Sequence, residues 1–218
     1  MTTWDDFRSV LLRLHSEHPG ALRQSPTLQV DDGPPPPFRV SLAAWAVDLA
    51  AGLQDRFGGD VELTVGLLRF PDGAPRHDAG RALDRDAAPL LSAAQVAVSV
   101  DHPLKVRSGR DLRAELRLRN RRSQSLVVVT NGAVTARVVD DTSGEVTGGF
   151  AGAQTAPRVL FRMASGESVT LPMLVGTASS RPRLGFAVPP GRWAIEVPLS
   201  FQERGRVRTP LLPLTVVA

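Results

Sequence analysis

Four histidines are the first residues to weigh for chemistry: His15, His18, His77 and His102. His15 and His18 stand three apart in a segment of helical periodicity, so both imidazoles can turn toward one metal ion. The run between them reads His-Ser-Glu-His. Zinc peptidases need His-Glu-x-x-His, with the general base inside the pair, and no third ligand stands at a suitable spacing. The pair reads as surface histidines near a helix end. Nucleophilic catalysis is no better served. No Gly-x-Ser-x-Gly elbow occurs, and Ser165-Gly166-Glu167-Ser168 has the composition of a hairpin turn. Cysteine is absent, which removes thiolate chemistry, disulfides and cysteine-based zinc sites. The run Gly148-Gly149-Phe150-Ala151-Gly152-Ala153-Gln154 comes after a strand-like Glu145-Val146-Thr147. It lacks the Gly-Lys-Ser/Thr ending of a phosphate loop and opens no helix, so it reads as a strand where glycine permits close backbone approach. Of the paired carboxylates, Asp5-Asp6 suits a helix N-terminus, while Asp31-Asp32 and Asp140-Asp141 suit turns. These residues predict a non-catalytic protein with no metal and no cofactor.

Charge is the next source of a function. Lys and Arg number 26 against 22 Asp and Glu, a net charge of +4. Lys105 is the only lysine, Ile195 the only isoleucine, tyrosine is absent, and asparagine occurs only at Asn120 and Asn131. All four residue types have AT-rich codons, so a GC-rich genome accounts for the abundance of arginine. The high isoelectric point then results from arginine never titrating. The densest basic cluster is Arg107, Arg110, Arg113, Arg117, Arg119, Arg121 and Arg122. Arg113, Arg117 and Arg119 alternate with Leu112, Ala114, Leu116 and Leu118, which places them on the solvent face of a strand with Glu115 among them. No aromatic residue stands in the cluster to stack on bases. The pattern disfavours nucleic acid and suits an edge strand guarded by charge.

The elements that would position these residues fall into three regions. In residues 1–37, Thr3 caps a helix whose Trp4, Phe7, Val10, Leu11 and Leu14 share one stripe. Pro19-Gly20 ends it, and Pro34 to Pro37 form an extended connector. In residues 38–90, Ser41 caps a second helix carrying Leu42, Trp45, Ala46, Leu49, Leu53 and Phe57, stopped by Gly58-Gly59. A buried strand runs from Val61 to about Leu67, and then a loop from Asp72 to about Pro89. Residues 91–218 alternate with period two. Val96-Val98-Val100, Leu112-Ala114-Leu116-Leu118 and Trp193-Ile195-Val197-Leu199-Phe201 each put one face inward. Turn signals separate such runs at Asn131-Gly132, Asp141 to Gly144, Ala164 to Gly166, Pro189 to Gly191, and Glu203 to Gly205. The expectation is a mainly β chain with a small α+β N-terminal part. It takes the form of an immunoglobulin-like antiparallel β-sandwich of seven to nine strands, preceded by two helices and a strand. No apolar run reaches the roughly 18 residues of a membrane span. The N-terminus carries acids where a secretory signal carries bases, which predicts a cytoplasmic protein.

One ordered set of residues goes beyond generic β patterning. A strand ends in Leu118-Arg119-Asn120. Next comes a hairpin from Val138-Val139-Asp140 to Gly144-Glu145-Val146, then the turn Ser165-Gly166-Glu167, and then Pro189-Pro190-Gly191-Arg192-Trp193 leads into Ala194-Ile195-Glu196-Val197. This order, over about residues 113–199, resembles the BsuPI-type intracellular proteinase inhibitor domains. The resemblance implies an immunoglobulin-like sandwich and raises an inhibitory role. The insert from Val175 to Phe186 is longer than that pattern expects. Its Ser179-Ser180-Arg181 is the stretch chosen as a partner contact, within a loop from Thr177 to Arg183. The function expected is non-catalytic protein–protein interaction or scaffolding, with a protein partner or a second copy. An intracellular proteinase inhibitor is the alternative, and an enzyme of unrecognised type comes after it.

Overall fold

The structure is a computed structural model and describes residues 4–23, 38–71, 88–152 and 157–218. Helix α1 spans Trp4–Glu17, with Asp5 and Asp6 in its first turn, where the helix dipole favours acids. Phe7, Leu11 and Leu14, spaced three and four apart, form its buried stripe. Phe7 stacks on Phe38 with centroids 4.2 Å apart and meets Phe57 edge-on at 5.3 Å. Thr3, Pro34 to Pro37, His77 and most of the expected loop after Asp72 lie outside the described residues.

Strand β1 (Phe38–Leu42), helix α2 (Val47–Phe57) and strand β2 (Val61–Val65) make a parallel crossover, with Phe38 beside Val61 and Leu42 beside Val65. A short turn at Gly66 and Leu67 sends β3 (Leu68–Phe70) back antiparallel to β2. The second helix therefore begins later than expected. Ser41 and Leu42 belong to β1, because parallel pairing with β2 claims their backbone groups. Helix α1, β1, α2 and β2 contribute Phe7, Leu11, Val40, Ala50, Leu53, Phe57 and Leu63 to one core. The two segments drawn separately at residue 37 are thus one packed unit.

The remainder is a mainly β, sandwich-like arrangement of sheets. Its strands are β4 (Val96–Val100), β5 (Leu104–Arg107), β6 (Asp111–Asn120), β7 (Leu126–Thr130), β8 (Val134–Val139), β9 (Val146–Gly149), β10 (Val159–Met163), β11 (Ser168–Gly176), β12 (Ala178–Ser179), β13 (Gly191–Glu196), β14 (Pro198–Phe201), β15 (Gly205–Arg208) and β16 (Leu212–Val217). One sheet runs β10-β7-β14-β15; the other runs β4-β6-β11-β8-β13-β16-β5, with β9 and β12 attached through β8. The pieces outnumber the seven to nine expected strands because long runs are interrupted, as at Val197 between β13 and β14. Leu116, Leu118, Leu171 and Met173 from one side share a core with Val128, Leu199 and Phe201 from the other. Three of the five turn signals fall between strands, and the other two run into the first residue of a strand, Gly191 of β13 and Gly205 of β15.

The two units are packed together. The Arg110 guanidinium lies 3.9 Å above the Trp45 ring, and Arg23 pairs with Asp111 at 2.6 Å. Phe70 meets Phe186 at 5.9 Å. Gly66 and Gly109 allow the approach, since a Cβ on Gly66 would stand 3.1 Å from that of Ala178, and one on Gly109 would stand 3.1 Å from the Trp45 nitrogen.

Candidate interaction surface

The segment chosen from sequence leaves β11 at Gly176 and is pinned along its length. Thr177 is buried, its Oγ1 2.9 Å from both the Arg107 and Arg110 carbonyl oxygens. Ala178 and Ser179 pair as β12 with Gly149 and Gly148. That pairing explains the glycine-rich run: a Cβ on Gly148 would stand 2.3 Å from the Ala178 carbonyl oxygen, and one on Gly176 would stand 2.5 Å from the Phe150 Cα. The glycines serve close backbone approach, as the sequence reading holds.

Ser179 is 0 % exposed. Its Oγ accepts a hydrogen bond from the Arg181 amide at 3.0 Å and donates to the Arg181 carbonyl at 2.9 Å. It therefore presents nothing outward; burial assigns it to holding the turn. Ser180 and Arg181 are half-buried. Arg181 Nε donates to the Val146 carbonyl at 2.9 Å and sits 3.1 Å from Glu145 Oε1. Arg183 pairs with the other oxygen of the same carboxylate. Pro182–Leu184 then curls as a short 3-10 turn. What this corner shows to solvent is Pro182, Arg183 and Gly185.

The neighbouring turn is built on Asp140. Its Oδ1 accepts hydrogen bonds from the Thr142 and Ser143 amides, each at 2.9 Å. The Gly144 amide closes the turn on the Asp140 carbonyl at 2.8 Å, with Gly144 at φ 70°. The Ser143 amide first, then that of Thr142, holds the Asp140 carboxyl below its ordinary 3.8.

The other residues behind the family resemblance do comparable work. Asn120 is 0 % exposed. Its Nδ2 reaches the carbonyl oxygens of Gln124 at 2.8 Å, Ala164 at 3.1 Å and Met163 at 3.3 Å, and its Oδ1 accepts from the Arg122 amide at 3.0 Å. Its backbone amide donates to the Glu167 carbonyl, and the Gly166 amide donates to the Asn120 carbonyl. Trp193 Nε1 donates to the Pro189 carbonyl at 2.9 Å. The Leu-x-Asn, Val-x-Asp, Gly-Glu and Pro-Gly elements all tie strand ends to turns.

Sequence reasoning misplaced Glu196. By alternation it faces solvent, yet it is 0 % exposed and pairs with Arg208 at 3.0 Å. Arg208 is held in turn by the Ala88 carbonyl, and Arg137 beside Glu196 in the ladder is also buried. Strand β13 is covered on both faces there. The available signal was Arg208 itself, an arginine opposite Pro198 in the β14–β15 hairpin.

The arginine row stands outward as expected. Arg113, Arg117 and Arg119 are exposed, as is Glu115, while Leu116 and Leu118 are buried. Its position in the sheet differs from the edge expected. Strand β6 is central, with β4 on one side and β11 on the other, because both neighbours come from elsewhere in the chain. His15 and His102 are exposed and His18 half-buried. Among the described residues no three of His, Asp and Glu gather to hold a metal ion, and no helix is long and apolar enough to cross a membrane.

No protein-family model matches the chain, and none of the curated proteins matches it. Among solved structures it is similar to a β-glucosidase from Listeria innocua, at 14 % identity and TM-score 0.33, over 56 % of this chain and 16 % of that one. It is also similar to the secreted serine protease VesC from Vibrio cholerae, at 13 % identity and TM-score 0.31, over 56 % and 23 %. A third is the sporulation control protein Spo0M from Bacillus subtilis, at 12 % identity and TM-score 0.31, over 59 % and 51 %. The chain spans from about a sixth to about half the length of these proteins.

Proposed function

We propose that the chain is a non-catalytic protein-interaction module on an immunoglobulin-like sandwich. The strand pairing supports that finer fold. Strands β4, β6 and β11 lie together in one layer, β7, β14 and β15 are neighbours in the other, and β5 runs parallel to β16. The observation that carries the function is the use made of buried polarity. Asn120, Thr177, Ser179, Glu196 and Thr209 all hold turns, strand ends or an ion pair. The outer surface, by contrast, keeps a row of exposed arginines on β6. Buried polar groups converging on an open site mark an enzyme; polarity spent inward and charge kept outward mark a surface for binding.

The test is quantitative co-purification from native lysate, with light scattering on the isolated chain. A stoichiometric protein partner, or a defined dimer, is the expected outcome. A monomer that recovers nothing stoichiometric defeats the reading. The alternative, an intracellular proteinase inhibitor, draws on the resemblance and on a loop clamped by Glu145. An inhibitory loop must enter a protease cleft extended, however, and the exposed tip here is a 3-10 turn at Pro182–Leu184. A panel of serine proteases left fully active by micromolar protein disposes of it.

A further inference from the structure

We infer that the outer face of β6 docks an extended acidic segment of a protein partner, with carboxylates on alternating residues and a gap opposite Glu115. This inference rests on the interaction reading above and names the surface and the chemistry of the partner.

Residues two apart on a strand are about 7 Å apart, and residues four apart about 13 Å. Arg117 and Arg119 therefore stand about 7 Å apart on one face, Arg113 stands about 13 Å from Arg117, and Glu115 lies midway between those two. Arg117 and Arg119 have paired neighbours on both sides and Arg113 on one. Arg117 lies between Ser99 and Thr170, Arg119 between Ala97 and Ser168, and Arg113 beside Leu174. These flanking residues are small, hydroxylated or aliphatic, and none is a carboxylate. Several arginines elsewhere do pair with acids: Arg39 and Arg69 with Glu62, Arg23 with Asp111, Arg181 and Arg183 with Glu145, and Arg208 with Glu196. No described ion pair includes Arg113, Arg117 or Arg119.

The row reads plus, minus, plus, plus. That order separates a peptide from a nucleic acid. A sugar–phosphate chain carries charge at every unit and meets Glu115 with repulsion, and the face holds no aromatic ring to stack a base. An extended peptide repeats its side chains at the same spacing as β6. It can set acids against the three arginines and a lysine against Glu115.

The test uses the whole chain and two labelled, end-blocked peptides of one composition, with binding read by fluorescence anisotropy at low ionic strength. The matched peptide is Glu-Thr-Lys-Thr-Glu-Thr-Glu and the mismatched one Lys-Thr-Glu-Thr-Glu-Thr-Glu. The matched peptide is expected to bind at least threefold tighter. Reversing Arg113, Arg117 and Arg119 together to Glu is expected to weaken it by about tenfold or more, as the loss of three exposed pairs implies. The same charge change at Arg8, Arg13 and Arg56, on the helices, is expected to alter it less than twofold. Glu115→Lys is expected to abolish the preference for the matched peptide while keeping binding, a result that loss of folding cannot imitate. Equal binding of the two peptides overturns the proposal. So does tighter binding of a mixed-sequence single-stranded oligonucleotide that is lost in the triple variant. If the peptide preference fails while a stoichiometric partner still co-purifies, the docking face is wrong and the interaction reading survives. If both fail, both fall.

Discussion

Replacing Asn120 by alanine should cost about 3 kcal/mol of folding stability. The side chain is 0 % exposed and supplies two N–H groups to a pocket of three carbonyl oxygens, those of Gln124, Ala164 and Met163. It also accepts from the Arg122 amide. An internal hydrogen bond contributes about 1 kcal/mol net, and a buried group left unpaired costs about 1–3 kcal/mol. Gln124 and Arg122 border solvent and can recruit water after truncation. Met163 O cannot, since that bond is buried. The loss is therefore set at about 3 kcal/mol rather than higher. With a urea m-value of about 3 kcal/mol/M, the unfolding midpoint falls by about 1 M. Equilibrium urea unfolding, read by far-ultraviolet circular dichroism and by tryptophan fluorescence, measures it. Asn120→Asp supplies the control. A carboxylate there points an acceptor at three acceptors, so at neutral pH this variant should be less stable than the alanine one. The protonated acid can donate to a carbonyl again, so its deficit should shrink as pH falls. A loss below about 1 kcal/mol for Asn120→Ala, or Asp and Ala variants that track each other at every pH, would refute the idea that this side chain staples β6 to the turn before β11.

Gly148→Ala should destabilise by about 3 kcal/mol or prevent folding, because its Cβ would stand 2.3 Å from a backbone oxygen; thermal melting against Gly52→Ala, whose Cβ meets nothing within 4 Å, measures the contrast. Glu196→Gln should cost about 3 kcal/mol, the low end for a broken buried pair, since the Arg208 side chain keeps 23 % exposure; chemical denaturation reads it. Asp140 has a folded-state pKa below its ordinary 3.8, so its contribution is present above that value and is lost as pH falls through the lowered one. Melting midpoints of the native chain and Asp140→Asn should therefore differ at neutral pH and converge in acid; a constant offset down to pH 2 counts against that account.

Much of this architecture is written in local alternation. Leu116 and Leu118 point inward and Arg113, Arg117 and Arg119 outward, as period two demands. Ile195, Val197, Leu199 and Phe201 are all buried. What the pattern does not carry is the identity of neighbours. Ser41 and Leu42 stand at helical spacing from Trp45 and Leu49, but β2, some twenty residues on, takes them into a sheet. Glu196 has outward parity, yet Arg208 covers it from another hairpin. Whether β6 is an edge or a centre depends on β4 and β11, and β11 begins at Ser168. The candidate loop was legible as an insert with turn chemistry. Its rigidity was not, because Glu145 and Val146, which clamp Arg181, lie in a different hairpin.

The parallel pairing of β5 with β16, which sets Leu104 beside Leu214, has a consequence for a growing chain on the ribosome. The α1–β3 unit draws its strand pairings and most of its core from residues 4–70, all made early. The later sheets cannot close until β16 has been made. At ordinary synthesis rates that leaves about 5 to 20 s during which β4, β5 and β6 wait for their later neighbours. For that interval β6 is an edge in time, although it ends as a centre in space. Three outward arginines then keep one nascent chain from pairing with the next on a crowded polysome, before the finished face has anything to bind.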